Sequence, residues 1–566
     1  MANSELLSTL LLRRGIKGEK EIDIFLNPDY RRDLHDPFLM RDMERACGRI
    51  FEATEANEKI LIYADYDCDG IPGAVILQDL FELIGYKNYE VYIPQRNSEG
   101  YGLNLEAIQQ FSHNGVKLVI TVDLGITAIA EVAQAKVDGM DVIITDHHLP
   151  RQSLSDGEFK VFLPSAYAIL NPKTDDYPEK MLCGAGVAFK LAQGFVAKYG
   201  EYFKIKSGAE KWMLDMAGLA TLSDMVPLTG ENRAIVYFGM KVFRKTRRPG
   251  LQKLMAEVKL DPRYLSEDDI SFMITPRLNA ASRMDDPMRA FELLSTNDVG
   301  QADILAKHLT KINDERKSMV TSIMREVNRK LEKSDRGEKT PVIVIGNPGW
   351  RIGILGLVAG KILDEYDKPV FVWGKDENDC IKGSCRSNGS VSVVELMTET
   401  SLHFTEYGGH ELAGGFTVES DKIHFLEEAL CVSYGKIKRD LKMNTEKINY
   451  DVKTTLDMVN MKNWREIEKL SPFGLANEKP VFLFEGVKIE KIKKFGKNSS
   501  GEHLEIIFSD ENGGERNRAV AISFFSNAES FRRPLAEGLR VNLLATFDLS
   551  RFRGREELRL RIVDIV

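Results

Sequence analysis

The sequence predicts a multidomain protein of the α/β class: a parallel sheet covered by helices, a long linking helix, a second α/β unit and a C-terminal β-barrel. Short apolar runs alternate with helical segments from residue 58 to 175, which is typical of parallel strands joined by crossover helices. An uninterrupted charged pattern over residues 286–335 predicts helices, the last of them long. After residue 445, short apolar runs with Gly-rich turns and many aromatic residues predict a small barrel.

Length and composition indicate a globular protein of several domains. The 566 residues exceed what one hydrophobic core supports, and 43% of them are hydrophobic and 29% charged. No apolar run approaches the ~18 residues needed to span a bilayer, and the N-terminus lacks a leader pattern. We therefore expect a cytoplasmic protein without a membrane partner. The six cysteines occur singly, which argues against a disulfide framework or a structural zinc site.

The pattern changes predict five segments. They are an N-terminal helical segment (1–49), a first α/β domain (50–285), a connecting long helix (286–338), a second α/β domain (339–436) and the barrel (445–566). The chain has a net charge of −8, and its acidic excess lies outside the barrel, which has a slight excess of basic residues. A nucleic-acid partner would therefore have to be held by local patches rather than by an overall basic surface.

Polar side chains follow successive strands of the first domain where each strand ends. The carboxyl ends of parallel strands share one edge of the sheet, and this edge is where ligands bind. The residues concerned are Asp65, Asp67 and Asp69 after ILIYA, Arg96 and Glu99 after YEVYIP, Asp123 after VKLVITV, and Asp146, His147 and His148 after DVIIT.

This concentration of carboxylates predicts bound cations. Two like charges ~4 Å apart repel by ~4 kcal/mol at an effective dielectric constant of 20, so a positive partner is needed. Arg96 is one candidate, and divalent ions are the stronger one because His147, His148 and Asp123 add nitrogen and oxygen donors. A donor set that is rich in carboxylates and free of thiolates suits Mn²⁺ or Mg²⁺. Two such ions can hold a phosphoryl group and generate hydroxide, which predicts hydrolysis of a phosphoester or phosphoanhydride.

Three other interpretations of the sequence motifs fit less well. A solvated acidic turn explains one aspartate better than three. A calcium-binding EF-hand loop requires a glutamate where the chain has Ile76. GLVAGKI is not a nucleotide-binding P-loop, because its spacing is wrong and Ile362 replaces the required Ser or Thr.

Eight motifs together resemble a known family. DYDCDG, RNSEGYGLN, VDLGI, TDHH and LATLSDMVPL, in this order, resemble the DHH phosphoesterase superfamily. RLNAASRMDDP, GSCRSNGS and EYGGHELAGGF resemble its RecJ branch, which carries a DHH-associated domain. The resemblance covers residues 50–435, and the final barrel fits the oligonucleotide-binding (OB) domain of that branch.

The resemblance implies roles for the residues at the sheet edge. One ion would be bound by Asp69, Asp123, His147 and Asp224, and the second by Asp65, Asp67 and the shared Asp123. His148 would face the scissile phosphate, and Asp146 would orient a histidine. The implied catalytic group therefore comprises His148, Asp146, Asp67 and Asp123. Two alternatives stay open, since Asp224 could be a helix cap and Asp65 could support a bound water.

The resemblance also implies a set of substrate-binding residues. They are Arg96, Glu99, Asn279, Arg283, Ser384, Arg386, Gly409 and His410. An ion pair between Arg96 and Glu99, and a simple turn at His410, are the alternatives. The chain departs from the family pattern twice: Ser282 replaces a glycine, which would strain a backbone with positive φ, and Arg351 replaces a histidine.

The barrel carries two basic runs. One contains Lys488, Lys491, Lys493, Lys494 and Lys497, and the other Arg551, Arg553, Arg555, Arg559 and Arg561 around Phe552. Charge runs are usually solvated faces. Within an OB-like barrel, alternating cations and aromatic rings are also typical of a platform for single strands.

These expectations combine into one function with two alternatives. The resemblance implies an exonuclease specific for single-stranded DNA that runs 5′ to 3′, releases mononucleotides and serves DNA repair and recombination. It also implies a monomer, with a single-strand-binding protein and a helicase as candidate partners. The alternatives are a DHH enzyme acting on short oligonucleotides and a non-catalytic DNA-binding replication factor.

Overall fold

The computed structural model describes most of the chain. The described residues are 4–96, 99–155, 158–334, 340–376, 379–438, 449–496, 503–510, 517–524, 531, 534–551 and 556–566. They form two compact units. One comprises Met1–His35, Met225–Tyr237 and Asn444–Val566, and the other Asp36–Asp224 and Phe238–Met443.

The first sheet is parallel throughout, as the sequence predicts. Four helices precede it: α1 Glu5–Arg13, α2 Glu19–Leu26, α3 Tyr30–Asp33 and α4 Met43–Glu55. The strands and helices that follow are β1 Lys59–Ala64, α5 Gly70–Ile84, β2 Tyr89–Tyr92, α6 Leu105–His113, β3 Val116–Val122, α7 Ile129–Val137, β4 Asp141–Thr145, β5 Arg151–Ser155, β6 Glu158–Phe162 and β7 Ala168–Leu170. The strand order is β2-β1-β3-β4-β7, and β5 and β6 form a separate antiparallel hairpin.

The central strands are buried on both faces, which explains their nearly continuous apolar sequence. Every residue of β1 after Lys59 is buried, and in β3 the only exposed residue is Lys117. The parallel register places Ala64 opposite Val122, and Val122 opposite Thr145. The residues after β1, β3 and β4 therefore leave the sheet at one level.

Helices complete the second unit up to the linker. They are α8 Gly184–Tyr199, α9 Leu214–Ser223, α10 Gly230–Phe243, α11 Pro249–Glu257, α12 Glu267–Asp269, α13 Thr275–Met284, α14 Met288–Ser295 and α15 Val299–Ser334, of which α10 begins in the first unit. The long helix α15 packs against α11, α13 and α14. None of the described helices is both long enough and apolar enough to cross a membrane.

The second α/β domain contains a mixed sheet. Its elements are β8 Ile343–Gly346, α16 Ile352–Tyr366, β9 Val370–Lys375, β10 Ile381–Arg386, α17 Val393–Glu399, β11 Phe404–Gly409, β12 Ala413–Val418 and α18 Ile423–Ile437. The strand order is β11-β12-β10-β9-β8, with only β8 and β9 parallel. Helix α16 packs on β9, β10 and the long helix α15.

The C-terminal domain is a closed five-stranded barrel, as predicted. Its elements are β13 Val452–Thr454, α19 Met461–Glu468, β14 Phe482–Phe495, β15 His503–Ser509, β16 Arg518–Ser523, β17 Arg540–Ser550 and β18 Glu557–Ile565. The order β14-β15-β16-β18-β17 closes through the pairing of β14 with β17. Helix α1 adds Leu7, Leu10 and Leu11 to the core of this barrel. The first helix of the chain thus belongs to the same compact unit as its last domain.

Candidate metal centre and substrate contacts

The loop after β1 holds three aspartates at the N-terminus of α5. Asp65 and Asp69 are 4% and 2% exposed, and Asp67 is half-buried. Asp67 Oδ1 accepts hydrogen bonds from the backbone nitrogens of Asp69 (2.8 Å) and Gly70 (3.3 Å). A Cβ at Gly70 would lie 2.4 Å from the Asp65 carbonyl oxygen, so this tight turn requires glycine there.

Asp69 is fixed by the N-terminus of α8. Its two carboxylate oxygens accept hydrogen bonds from Gly184 N (2.6 Å) and Ala185 N (2.7 Å), where the helix dipole favours a negative charge. A Cβ at Gly184 would lie 2.5 Å from the Cβ of Asp123. Glycine at this position therefore allows the helix to approach both aspartates.

Asp123 and His147 lie at the centre of the cluster. Asp123 follows β3 with φ +63°, an unusual backbone conformation for a residue other than glycine, and is 3% exposed. His147 Nε2 lies 3.2 Å from Asp123 Oδ1, 3.7 Å from Asp69 Oδ2 and 3.8 Å from Asp224 Oδ2. Asp224 is the C-cap residue of α9, and its carboxylate also lies beside the cluster.

The donor atoms fall into three overlapping groups, each within 4.8 Å. They are Asp65 with Asp67 and Asp123, Asp69 with His147 and Asp224, and Asp123 with His147 and His148. The first two groups follow the division into two ion sites expected from the sequence. The individual ligand roles stay a prediction.

The electrostatics of the cluster fit divalent cations. Burial first, and then a neighbouring aspartate, raises the pKa of Asp65 and Asp123 well above the usual range and that of Asp224 to about 8. Asp65 Oδ1 and Asp123 Oδ1 are buried, and neither has a hydrogen-bond partner in the described part of the chain. Buried carboxylate oxygens of this kind are stabilised when they coordinate a metal ion. Burial also lowers the pKa of His147 to about 4, which leaves the imidazole neutral and able to act as a ligand.

Asp146 contacts both the ring and the backbone of His148. Its Oδ1 accepts from His147 N (2.7 Å) and His148 N (3.0 Å) and lies 2.8 Å from His148 Nδ1, while Oδ2 accepts from Ile126 N (2.9 Å). The orienting role that the family resemblance implies stays a prediction. Burial would raise the pKa of Asp146, but the hydrogen bonds from His148 outweigh it and the pKa is lowered. Burial would lower the pKa of His148, and the bond to Asp146 reverses this and raises it.

Two neighbours of His148 were missed by sequence reasoning. The hydroxyl of Tyr101 lies 3.3 Å from His148 Nδ1 and donates to the carbonyl oxygen of Asp123 (3.3 Å). Asn171, just after β7, donates from Nδ2 to the His148 carbonyl oxygen (2.9 Å). Asn171 follows a strand of the same sheet, so the expectation of polar residues at strand ends applies to it as well. Nothing in the sequence marked Tyr101 except its position within the motif RNSEGYGLN.

Helix α13 supplies Asn279 and Arg283 beside the aspartate loop. Asn279 Oδ1 accepts from Cys68 N (2.8 Å), so this side chain also holds the loop in place. Arg283 Nη1 donates to the Gly353 carbonyl oxygen (3.4 Å). Ser282 lies inside α13 and is not among the residues with positive φ, so the strain considered for it does not arise.

The loop after β2 places Arg96 over the ring of Tyr66, 5.1 Å from its centroid. Glu99 accepts hydrogen bonds from the Tyr92 hydroxyl and from Gln95 N (2.7 Å), and it forms no ion pair with Arg96. Glu99 therefore shapes this loop, and the ligand-binding role of Arg96 stays a prediction.

The second α/β domain carries the other predicted substrate residues. Arg386 Nη1 donates to Ser384 Oγ (3.2 Å), and a Cβ at Gly356 of α16 would approach Arg386 Nη2 to 3.0 Å. Gly409 has φ +143° at the start of a turn in which His410 N donates to the Ala413 carbonyl oxygen (2.7 Å).

Two further residues of this domain are His410, a predicted substrate residue, and Arg351, which departs from the family pattern. His410 is exposed, and within the described residues no hydrogen bond or ion pair joins it to the aspartates or histidines of the first domain. Arg351 Nη1 donates to the Met284 carbonyl oxygen (3.1 Å), so this departure from the family pattern ties α13 to the start of α16.

The basic runs of the barrel are partly neutralised. Lys488, Lys493, Arg551 and Arg559 pair with Glu490 (3.1 Å), Glu505 (3.3 Å), Glu556 (3.0 Å) and Asp548 (2.7 Å). Arg559 and Arg561 lie 5.9 and 5.6 Å from the ring centroid of Phe524, a pairing of cations with an aromatic ring. Lys497, Phe552, Arg553 and Arg555 lie outside the described residues.

Family models match all three domains, and the fold and the site define a DHH phosphoesterase. The model of the DHH family N-terminal domain matches residues 59–221, that of the DHHA1 domain residues 339–431, and that of the RecJ OB domain residues 450–564. The single-stranded-DNA-specific exonuclease RecJ of Bacillus subtilis is 32% identical over 564 residues, which cover 99% of this chain and 67% of that protein. This chain belongs to the RecJ family.

Other comparisons agree with this assignment. RecJ of Escherichia coli K12 is 27% identical over 580 residues, which cover 99% of this chain and 95% of that protein. The crystal structure of RecJ in complex with Mn²⁺ from Thermus thermophilus shares the fold, with a TM-score of 0.80, 24% identity and coverage of 100% of this chain and 76% of that one. A crystal structure of exonuclease RecJ bound to manganese is 29% identical with a TM-score of 0.61, over 71% of this chain and 96% of that one.

Proposed function

We propose that this protein is an exonuclease specific for single-stranded DNA that hydrolyses phosphodiester bonds with two divalent ions, Mn²⁺ or Mg²⁺. The observation that carries the proposal is the central position of Asp123, which belongs to the first donor group and lies 3.2 Å from the histidine of the second. One carboxylate can offer an oxygen to each of two ions. Members of the family are named for this activity, and one related structure is of the enzyme bound to manganese.

In this proposal the metal-bearing residues divide into two sets around Asp123. Asp69, His147 and Asp224 hold one ion, and Asp65 and Asp67 the other. Such ions supply a hydroxide at neutral pH and neutralise charge on the phosphate. The protein contributes geometry. Helix α8 fixes Asp69 through two backbone N–H groups, and the carboxylate of Asp123 lies both beside Asp65 and Asp67 and beside His147.

His148 is the proposed contact to the scissile phosphate. Asp146 holds the Nδ1 edge of the ring, which leaves Nε2 for the substrate. The hydrogen bond to Asp146 raises the pKa of His148, and in the imidazolium form Nε2 can donate to a phosphate oxygen. Tyr101, also within 3.3 Å of Nδ1, limits rotation of the ring.

Three arginines form the proposed phosphate-binding side of the site. Arg96, Arg283 and Arg386 lack a carboxylate partner among the described residues, and each guanidinium can hold phosphate oxygens bidentately. Burial, followed by the like charges of Arg96 and Arg316, lowers the pKa of Arg283 to about 10. An anionic ligand would relieve this repulsion.

Further parts of the proposal rest on the family resemblance or on the sequence alone. They are the 5′ to 3′ direction, the release of mononucleotides, the role in repair and recombination, a monomeric state, a cytoplasmic location, and a single-strand-binding protein and a helicase as partners. No contact within the described residues bears on them, and each needs its own measurement.

Hydrolysis of end-labelled substrates tests the proposal directly. The purified protein is incubated with single-stranded DNA, duplex DNA and RNA, each with Mn²⁺, with Mg²⁺ and with chelator. We expect single-stranded DNA to be shortened from one end only in the presence of metal. Activity in chelator would contradict the metal mechanism, and equal cleavage of duplex would contradict the strand specificity. Cleavage confined to very short oligonucleotides would favour the alternative DHH activity.

A further inference from the structure

Lys173 lies beside the metal cluster and was not predicted as a site residue. It follows β7, and Leu170 at the end of β7 lies opposite Thr145 at the end of β4, so both strands end at the same level. Asp146 N, just after β4, donates to the Leu170 carbonyl oxygen (3.1 Å). The loop that carries Lys173 therefore leaves the sheet next to Asp146.

Asn171 fixes the start of this loop. It is fully buried, its Oδ1 accepts a hydrogen bond from Lys173 N (2.9 Å), and its Nδ2 donates to the His148 carbonyl oxygen (2.9 Å). The Asn171 carbonyl oxygen accepts from the backbone nitrogen and the hydroxyl of Thr174, both at 3.0 Å. One buried amide thus connects the backbone of Lys173 to that of the histidine proposed to contact the phosphate.

Lys173 is half-buried, and its ammonium group has no partner among the described residues. Nζ forms no hydrogen bond there, and no carboxylate of that part of the chain lies within ion-pair distance of it. Burial lowers the pKa of Lys173, while Asp224 and Asp146 act in the opposite direction from a longer distance. The charge of Lys173 acts in turn on Asp224, His147 and His148. The ammonium group is therefore close to the cluster without being paired with it.

The strand order places one cation at each end of the row of carboxylates. In the order β2-β1-β3-β4-β7, Arg96 follows the first strand and Lys173 the last, with the aspartates between them. If Lys173 served only to neutralise these carboxylates, an ion pair with Asp224 or Asp146 would be expected, and none forms. Two divalent ions repel an ammonium group unless an anion lies between them. A phosphate group is such an anion, and lysine binds phosphate as a point charge.

We propose that Lys173 is a further catalytic residue, whose Nζ donates to a non-bridging oxygen of the scissile phosphate from the β7 side of the sheet edge. This inference rests on the proposed function, since it names another contact to the same phosphate. The ammonium group offsets negative charge that develops on the phosphoryl oxygens in the transition state. It acts from the end of the sheet edge opposite to Arg96.

Lys173→Ala tests this contact in the full-length protein, with Lys173→Arg as the conservative variant. Lys180→Ala is the matched control, because Lys180 is an exposed lysine of the same loop whose ammonium group donates to the Asp175 carbonyl oxygen. The first measurement is kcat and KM for single-stranded DNA at saturating Mn²⁺. In Lys173→Ala, kcat should fall by about 100-fold while KM stays within about threefold, because the contact strengthens in the transition state. Lys173→Arg should recover most of kcat, and Lys180→Ala should retain all of it.

Binding of inorganic phosphate gives a second measurement that does not depend on turnover. Calorimetry with the Mg²⁺-loaded protein should give a phosphate affinity about tenfold lower in Lys173→Ala than in the wild type, as expected for the loss of one charged hydrogen bond. The number of bound Mn²⁺ ions, counted by electron paramagnetic resonance, should be the same in both proteins and shows that the variant is folded.

Two outcomes would overturn the proposal. An unchanged kcat with tighter Mn²⁺ binding in Lys173→Ala would mean that the lysine only neutralises the carboxylates when no metal is bound. Loss of a bound ion in this variant would mean that the lysine supports the metal site rather than the phosphate. A wild-type protein that hydrolyses no strand would contradict the proposed function, whereas the phosphate affinities would still decide the role of Lys173.

Discussion

The edge of the first sheet and the wall of the barrel both collect charged side chains, but they treat them in opposite ways. At the sheet edge, Asp65, Asp69 and Asp123 are buried close together, and one oxygen each of Asp65 and Asp123 accepts no hydrogen bond from the described residues. In the barrel, Lys493 and Arg559 pair with carboxylates at or near the surface. Buried like charges without hydrogen-bond partners indicate a bound ion. A run of surface charges indicates a binding site only when its members are not already paired with opposite charges.

The largest effect should come from the residue shared by both donor sets. Asp123→Asn keeps the shape of the side chain but removes the charge that faces both ions. We expect a loss of kcat/KM of more than about a thousandfold, measured with single-stranded DNA and saturating Mn²⁺. Strand affinity should stay within about twofold, because the arginines are unchanged. Near-normal turnover would show that the buried carboxylates do not act as a metal centre.

Asp146→Asn tests the carboxylate that orients His148 rather than one that faces the ions. A positioning residue of this kind typically contributes about 10- to 100-fold, so the loss should be smaller than for Asp123. The pKa of His148 should fall, because its hydrogen bond to an anion is lost. Since the protonated imidazolium is the form that donates to the phosphate, the alkaline limb of activity should move to lower pH. A uniform loss at every pH would contradict the orienting role.

The pH dependence of metal binding tests whether a cation displaces a proton from the carboxylates at the sheet edge. Asp224, with a pKa raised to about 8, is protonated below that pH when no cation is present, and a cation must displace the proton. Affinity for Mn²⁺ should therefore fall by about tenfold for each pH unit below 8 while one proton is displaced. Calorimetry in buffers of different ionisation enthalpy measures the proton release. Asp224→Asn should reduce both the affinity and the protons released, and an unchanged proton count would contradict this explanation.

The barrel offers a matched pair of lysines with the smallest expected effect. Lys491 and Lys493 lie on β14 and are both exposed, but only Lys493 is paired, with Glu505. Lys491→Ala should weaken strand binding by about threefold and reduce the salt slope by about 0.7. Lys493→Ala should have a weaker effect, because this lysine already has a counter-charge. Equal effects would show that the ion pair does not matter for strand binding, and no effect from either would mean a merely solvated face.

Much of the site was predictable because it lies at strand ends. The strands β1, β3 and β4 are buried on both faces, so their apolar runs are long and the polar residues after them are conspicuous in the sequence. Asp224 was not predictable in this way, since an aspartate at a helix end is usually a cap, and the structure shows it as both a cap and a neighbour of His147. Only the family resemblance pointed to it.

Other features depend on contacts between distant parts of the chain. The packing of Leu7 and Leu10 into the barrel core joins the first helix to the last domain, and an amphipathic helix does not specify which core it enters. No strand was expected at the β5–β6 hairpin, because its sequences, RQSLS and EFKVF, lack the continuous apolar run that marks the buried parallel strands. Asn279 and Glu99 hold loops in place by accepting hydrogen bonds from backbone N–H groups. The sequence did not indicate this structural role, because amide and carboxylate side chains suit ligand binding equally well.

Two ions that share Asp123 are the central feature of the proposed site, and electron paramagnetic resonance of bound Mn²⁺ tests this directly. The wild type is titrated with Mn²⁺ at pH 8, where the metal-binding groups are most readily deprotonated. We predict two bound ions per chain with the spectrum of a magnetically coupled pair, and a single uncoupled ion in Asp123→Asn. One bound ion in the wild type, or a coupled pair that survives in Asp123→Asn, would contradict the shared site.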